Sequence, residues 1–312
     1  MIDVRRYTPA DQQRWDEFVE KSKNGVFLFQ RGYMEYHADR FTDHSLLFEK
    51  QGKILAVLPA NEQDDGLFSH AGLTFGGLVS SMQLKTPATL DIFTSLKAYG
   101  CRNRLHTIMY KSIPHIYHRV PAEEDRYALF RHGARLCRRD ISSALSMNER
   151  PAYSKLRKSH TRRAQNSGLE VRESQDFSGF MEIVEDNLKI QHGVTPTHSA
   201  AEIAWLAGQF PDNIRLFVAH QGAAIIAGVM IYKTATVVHS QYVASTPEGR
   251  KLGGVDRIFD FLLNEVYSTV EYFDFGISTT DQGHQLNEGL IRYKESYGAR
   301  AVVYDWYEWN IG

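Results

Sequence analysis

The sequence predicts an α+β chain made of one unit used twice, each copy a mixed, mostly antiparallel sheet flanked by helices. Three observations predict it. The chain has 312 residues, and at about 150 residues per domain that length favours two domains. The same order of strand-like and helix-like segments runs through both halves. Landmarks recur at nearly constant spacing: 169 residues separate His70 from His239, and 165 separate Gly133 from Gly298.

Each copy opens on a hairpin signal, two β-rich runs around a glycine turn: LLFEKQGKILAVL over 46–58 and IRLFVAHQGAAIIAGV over 214–229. A third strand-like run follows, LFSHAGLTF around His70 and VVHSQYVAS around His239. Next comes a helical pattern with Ile, Phe and Leu at i, i+3 and i+4 spacing, over 89–100 and 255–268. Strand candidates at 104–112 and 271–278 come after it. A second helix in each copy ends on Gly-Ala-Arg, at Gly133 and at Gly298, where glycine accepts the left-handed conformation that closes a helix. Last strands at 136–147 and 301–309 close the copies. The boundary is expected between Asn148 and Pro151, giving units 1–150 and 151–312.

Composition narrows the function. Lys plus Arg (36) nearly cancels Asp plus Glu (37), a net charge of -1 that argues against general DNA or membrane-surface binding. Two cysteines, Cys101 and Cys137, cannot form a disulfide framework, which points to a reducing compartment. No signal-peptide core opens the chain, and the longest apolar stretch, Ala223 to Tyr232, is too short to span a bilayer, so a cytoplasmic location is expected. His115 and His118 have no carboxylate or thiol at ligand spacing, so no metal site is expected, and no Gly-x-Ser-x-Gly elbow is present.

The element order resembles the GNAT acyltransferase fold, and its doubling resembles the FemAB-like branch of that fold. Asn287 to Ala299, with Gly289-Leu290, Tyr293-Lys294 and Tyr297-Gly298, resembles the FemAB signature of Gly-Leu, aromatic-Lys and aromatic-Gly. It is also similar to the GNAT motif in which an Asn, here Asn287, opens the helix beside the pantetheine arm. The first-copy stretch Ser69 to Leu78 is similar to FemAB-like proteins of bacterial surface-polysaccharide clusters. The resemblance implies tandem GNAT-like domains, the first degenerate and on the acceptor side, the second holding the acyl donor.

Gly249-Arg250-Lys251-Leu252-Gly253-Gly254, followed at once by an amphipathic helix, is the strongest ligand signal. Such a turn aims backbone N–H groups at an anion, and the helix start adds about half a positive charge. GNAT proteins hold the CoA pyrophosphate this way; Arg250 and Gly253 fit the pattern, while Val255 departs from its last position. The equivalent first-copy stretch, Ser80 to Thr86, has no glycine, which favours a ligand over a purely structural turn. By the same resemblance, Gln241, Tyr242 and Val243 would line the pantetheine arm. Lys294 would neutralise a leaving thiolate or an acceptor phosphate, with Tyr293 and Tyr297 as alternative proton donors. Asp274, a carboxylate in an otherwise apolar run, is either a structural partner for an arginine or a site residue that takes a proton from an attacking amine. His70 is a further candidate base.

The run Lys155 to Arg163 carries five Lys and Arg in nine residues, fit for phosphates or for a solvated helix face. The expected reaction is N-acyl transfer from acyl-CoA, a co-substrate and not a resident cofactor, to a dTDP- or UDP-linked amino sugar for O-antigen or capsule synthesis. Phe75, Tyr33 and Tyr36 are candidates to stack the base. The alternatives are aminoacyl transfer from tRNA to a peptidoglycan precursor, which the charge balance disfavours, and a non-catalytic tandem GNAT that binds a ligand.

Overall fold

The computed structural model describes residues 2–311, apart from the side chains of 191 and 192. The chain divides into two compact units. Unit 1 comprises 1–141, 279–285 and 303–312; unit 2 comprises 142–278 and 286–302. The principal elements of the first half are β1 (Asp3–Arg6), α1 (Gln12–Lys21), β2 (Leu46–Lys50), β3 (Lys53–Leu58), β4 (Gly66–Phe68), α2 (Thr86–Arg102), β5 (Thr107–Lys111), α3 (Glu124–Arg131) and β6 (Arg135–Ser146). Those of the second are α4 (Lys155–Gln165), β7 (Glu170–Ser174), α5 (Phe177–His192), α6 (Ala200–Gln209), β8 (Ile214–Gln221), β9 (Ala224–Lys233), β10 (Val237–Ser245), α7 (Pro247–Leu252), α8 (Gly254–Phe261), β11 (Tyr272–Ile277), α9 (Glu288–Glu295) and β12 (Arg300–Asn310).

In unit 2 the sheet order is β7–β8–β9–β10–β11–β6. All pairs in it are antiparallel except β10–β11, which α8 joins as a parallel crossover. Its core packs Phe217 and Val229 of the hairpin against Phe259 of α8, Phe273 of β11 and Tyr297. Unit 1 repeats the plan: a β2–β3 hairpin, and a parallel β4–β5 pair joined through α2. Here the strand after the hairpin is broken. Residues 79–80 pair with β3 while β4 pairs with β5, so unit 1 has a separate four-stranded sheet. His70 therefore lies not in a strand but in a turn, at φ +59°.

The helices and last strands fall where the sequence places them, and Gly133 (φ +73°) and Gly298 (φ +97°) are left-handed as expected. The domain boundary is different. Ser142 to Ser146 of β6 pair with β11 in unit 2, and Trp306 to Asn310 of β12 pair with β5 in unit 1. Trp309 is 1% exposed against Phe93, so the chain's last strand completes the core of unit 1. Each copy's closing strand thus serves the other copy's sheet, and the units do not separate at 150/151.

Candidate functional site

The site forms in unit 2, where β10 and β11 part. Their parallel register runs Val237 to Tyr272, Val238 to Phe273 and His239 to Asp274, and then ends. Beyond it, β10 keeps β9 on one edge and leaves its other edge without a strand. Met230 pairs with Tyr242 but Ile231 pairs with Ser240, so Gln241 is the extra residue of a bulge. Bulges re-aim a strand beside functional sites.

A cavity of about 440 Å³ lies along this edge. It is lined by Val184 and Asn187 of α5, Tyr242 to Ser245 of β10, Gly249, Arg250 and Gly253 to Asp256 of the α7–α8 turn, and Tyr293 of α9. Thr246 caps α7 by accepting from the Gly249 amide at 3.1 Å. Gly253, at φ +77°, ends α7 and starts α8. Gly254, Val255 and Asp256 form the first turn of α8, where amides precede any acceptor within that helix, and all three line the cavity.

The glycines also have packing causes that the comparison of the two copies did not show. A Cβ on Gly249 would stand 2.1 Å from the Ile226 carbonyl oxygen, and one on Gly254 would stand 2.8 Å from the Ala227 Cβ. Arg250 is exposed and donates to the Ser245 carbonyl at 2.6 Å and to Asn187 Oδ1 at 2.9 Å. Lys251 is exposed beside Glu248 and does not line this cavity. Asn287 caps α9 through the Leu290 amide at 3.0 Å and is also outside the cavity, as is Gln241.

Asp256, in the first turn of α8, is neutralised by Arg157 at 2.5 Å. Its Oδ1 also accepts from Tyr293 at 2.8 Å and Tyr297 at 2.9 Å, and the Arg157 guanidinium lies 4.4 Å from both ring centres. Burial, with Asp256 adding to it for Tyr293, pushes both phenols well above their usual pKa. Tyr297 is fully buried, so only Tyr293 reaches the cavity. The basic run divides accordingly: Arg157 is a buried structural partner, while Lys155, Lys158, Arg162 and Arg163 are exposed on α4.

Asp274 is fully buried. Its Oδ1 accepts from Ser142 at 2.6 Å and from the Gly276 amide at 3.0 Å, and its Oδ2 lies 3.0 Å from His239 Nδ1. Its partner is a histidine, not the arginine the sequence suggested. Lys294 is also buried and donates to the Gly276 and Ile277 carbonyls, each at 2.8 Å. Burial lowers its pKa to about 8, against an opposing pull from Asp274. Lys294 thus pins the end of β11. His239, which sequence reasoning treated only as part of a strand, is half-buried at the point of divergence. Its partner stands 35 residues away, so only the parallel register reveals the pair; the matched positions of His70 and His239 in the two copies were the one signal.

His70 belongs to unit 1 and is buried there against Phe41 and His37, which pushes its pKa down to about 3. Phe75 and Tyr33 are core residues of unit 1, packed on Tyr117 and Phe27, and are closed to a nucleotide base. Among the described residues no group of three or more His, Cys, Asp or Glu is placed to hold a metal, and no helix is long and apolar enough to cross a membrane.

Residues 153–295 match the profile of the acetyltransferase (GNAT) domain family. The fold is similar over 97% of the chain to a crystal structure of FemX, of which it covers 96%, at 11% identity and a TM-score of 0.69. It is also similar to L-PGS from Bacillus licheniformis (98% of this chain, 93% of that one, 11% identity, TM-score 0.64). A tandem GNAT protein from the clavulanic acid biosynthesis pathway matches over 100% and 99% of the two chains at 9% identity and a TM-score of 0.54. No curated protein matches the chain by sequence. The fold is thus similar to that of a tandem GNAT protein, and the segment that matches the GNAT acetyltransferase domain family lies in the second half of the chain.

Proposed function

We propose that the chain transfers an acyl group from a CoA thioester to an amine by direct attack, without a covalent enzyme intermediate. One observation carries the reading: the cavity follows the unpaired edge of β10 and ends at the amide-bearing start of α8. Backbone groups of the strand suit the amides of a pantetheine arm, and the helix start suits its pyrophosphate. Arg157 removes the objection that Asp256 would repel that anion. The acceptor, on the resemblance to surface-polysaccharide proteins, is a dTDP- or UDP-linked amino sugar. The second reading, aminoacyl transfer from tRNA, is favoured by the likeness to FemX and L-PGS and by the four exposed cations of α4.

Titration calorimetry separates the two. CoA and acetyl-CoA are expected to bind with micromolar affinity. Val255→Glu, which sets a carboxylate among the α8 amides, is expected to weaken them tenfold or more, and beyond the loss in Val255→Thr, which removes the same core contact without adding a charge. A chain that binds aminoacyl-tRNA and no CoA compound contradicts the first reading and supports the second.

A further inference from the structure

We propose that His239 is the proton acceptor of the transfer step and that Asp274 is its positioning residue. This rests on the acyl-transfer reading, but its own evidence is the end of the β10–β11 pairing. His239 and Asp274 are the last residues in register, so their side chains stand at the apex from which the two strands diverge. From Ser245 back to Ser240 the free edge of β10 spans about 17 Å at the usual strand rise. A donor with its phosphates at the start of α8 and its arm laid along that edge brings its acyl end to the apex.

The apex is built to hold one imidazole in one state. Asp274 accepts from Ser142 and the Gly276 amide on Oδ1, and its Oδ2 lies 3.0 Å from His239 Nδ1, placed to accept that nitrogen's proton. That fixes Nδ1 as the protonated nitrogen and puts the lone pair on Nε2. Gly276, at φ +80°, leaves room beside the ring; a Cβ there would come within 3.3 Å of His239 Cε1. Lys294 holds the Gly276 and Ile277 carbonyls and so fixes the turn that supplies the amide to Asp274.

The other candidates are engaged elsewhere. Asp274 is fully buried, so it acts through the histidine and not on substrate. The hydroxyls of Tyr293 and Tyr297 are held on Asp256. In the step itself, the amine nitrogen attacks the thioester carbon, the C–N bond forms and the C–S bond breaks. Nε2 takes one proton from the amine nitrogen, and the imidazolium returns it to the departing thiolate, leaving an amide, free CoA and neutral His239.

Two measurements on the full chain test this, and they fail independently of the donor. Long-range ¹H–¹⁵N NMR of the imidazole is expected to find His239 protonated on Nδ1, with that preference lost in Asp274→Asn. Transfer from acetyl-CoA to hydroxylamine, followed by loss of thioester absorbance, is expected to fall at least 100-fold in kcat for His239→Gln. KM for acetyl-CoA should be unchanged and the variant should remain folded at the assay temperature, and added imidazole should restore part of the rate in His239→Ala. A His239→Gln enzyme that keeps a third or more of its kcat, or a proton found on Nε2 with Nδ1 bare, overturns the proposal. If the wild type neither binds nor turns over acetyl-CoA, the acyl-CoA reading fails, and the NMR result alone decides the pair.

Discussion

Arg157 sits in the most basic stretch of the chain, yet its guanidinium is buried between two tyrosine rings and paired with Asp256. Arg157→Ala should cost about 3–5 kcal/mol in urea unfolding, because it strands a partly buried carboxylate. Arg157→Lys should cost less but still about 1–3 kcal/mol, since an ammonium cannot stack on both rings. Equal, near-zero costs would make Arg157 a surface charge after all. Buried titratable groups give two pH signatures of opposite placement. Lys294 has its pKa lowered from 10.5 to about 8, so its burial penalty is full below pH 8 and relieved as pH rises toward 10.5. Relative to Lys294→Met, wild type should therefore gain stability across that window, by of order 3 kcal/mol. His70, lowered from 6.5 to about 3, stays neutral in the fold while the unfolded chain takes up a proton. Stability should fall as pH drops from 6.5 to 4, by of order 3 kcal/mol from this residue. His70→Asn, which tolerates the left-handed backbone at that position, should remove that slope; an unchanged slope contradicts the assignment.

At the scale of elements, local pattern was a good guide to what forms and a poor one to what pairs. Glycine turns and i, i+4 spacing located α2, α8 and both hairpins, because those signals are carried by neighbouring residues. The helix cap of Asn287 was likewise legible. The broken strand before His70 was not, since a run that reads as β over nine residues says nothing about which sheet edge receives it. The glycine turn carries a mixed lesson. Its glycines looked like ligand signals because the first copy lacks them, yet Gly249 is also required by the Ile226 carbonyl behind it. Gly249→Ala should destabilise the chain by about 1–3 kcal/mol or more through overpacking and weaken donor binding with it. Gly253→Ala should cost about 1–2 kcal/mol through its positive φ, with a further cost from a Cβ only 3.0 Å from that of Ala164. A Gly249→Ala protein with wild-type stability would contradict the packing described.

For the molecule as a whole, the repeat was legible in the sequence and the exchange of closing strands was not. Two last strands with similar patterns offer no local mark of which sheet each completes; Trp309 and Ser142 settle it only through their contacts. The fragment 151–312 lacks the strand that pairs with β11 and the Ser142 hydroxyl that holds Asp274, and it keeps a last strand whose partner β5 is gone. It should therefore fail to unfold cooperatively in calorimetry, and a sharp native-like transition would contradict the unit boundaries. The central claim is that unit 2 holds an acyl donor along the open edge of β10. Amide hydrogen exchange with and without acetyl-CoA tests it most directly. Protection confined to 240–245 and 249–256 is the predicted result; unchanged exchange across both segments, at a concentration that saturates binding elsewhere, would contradict it.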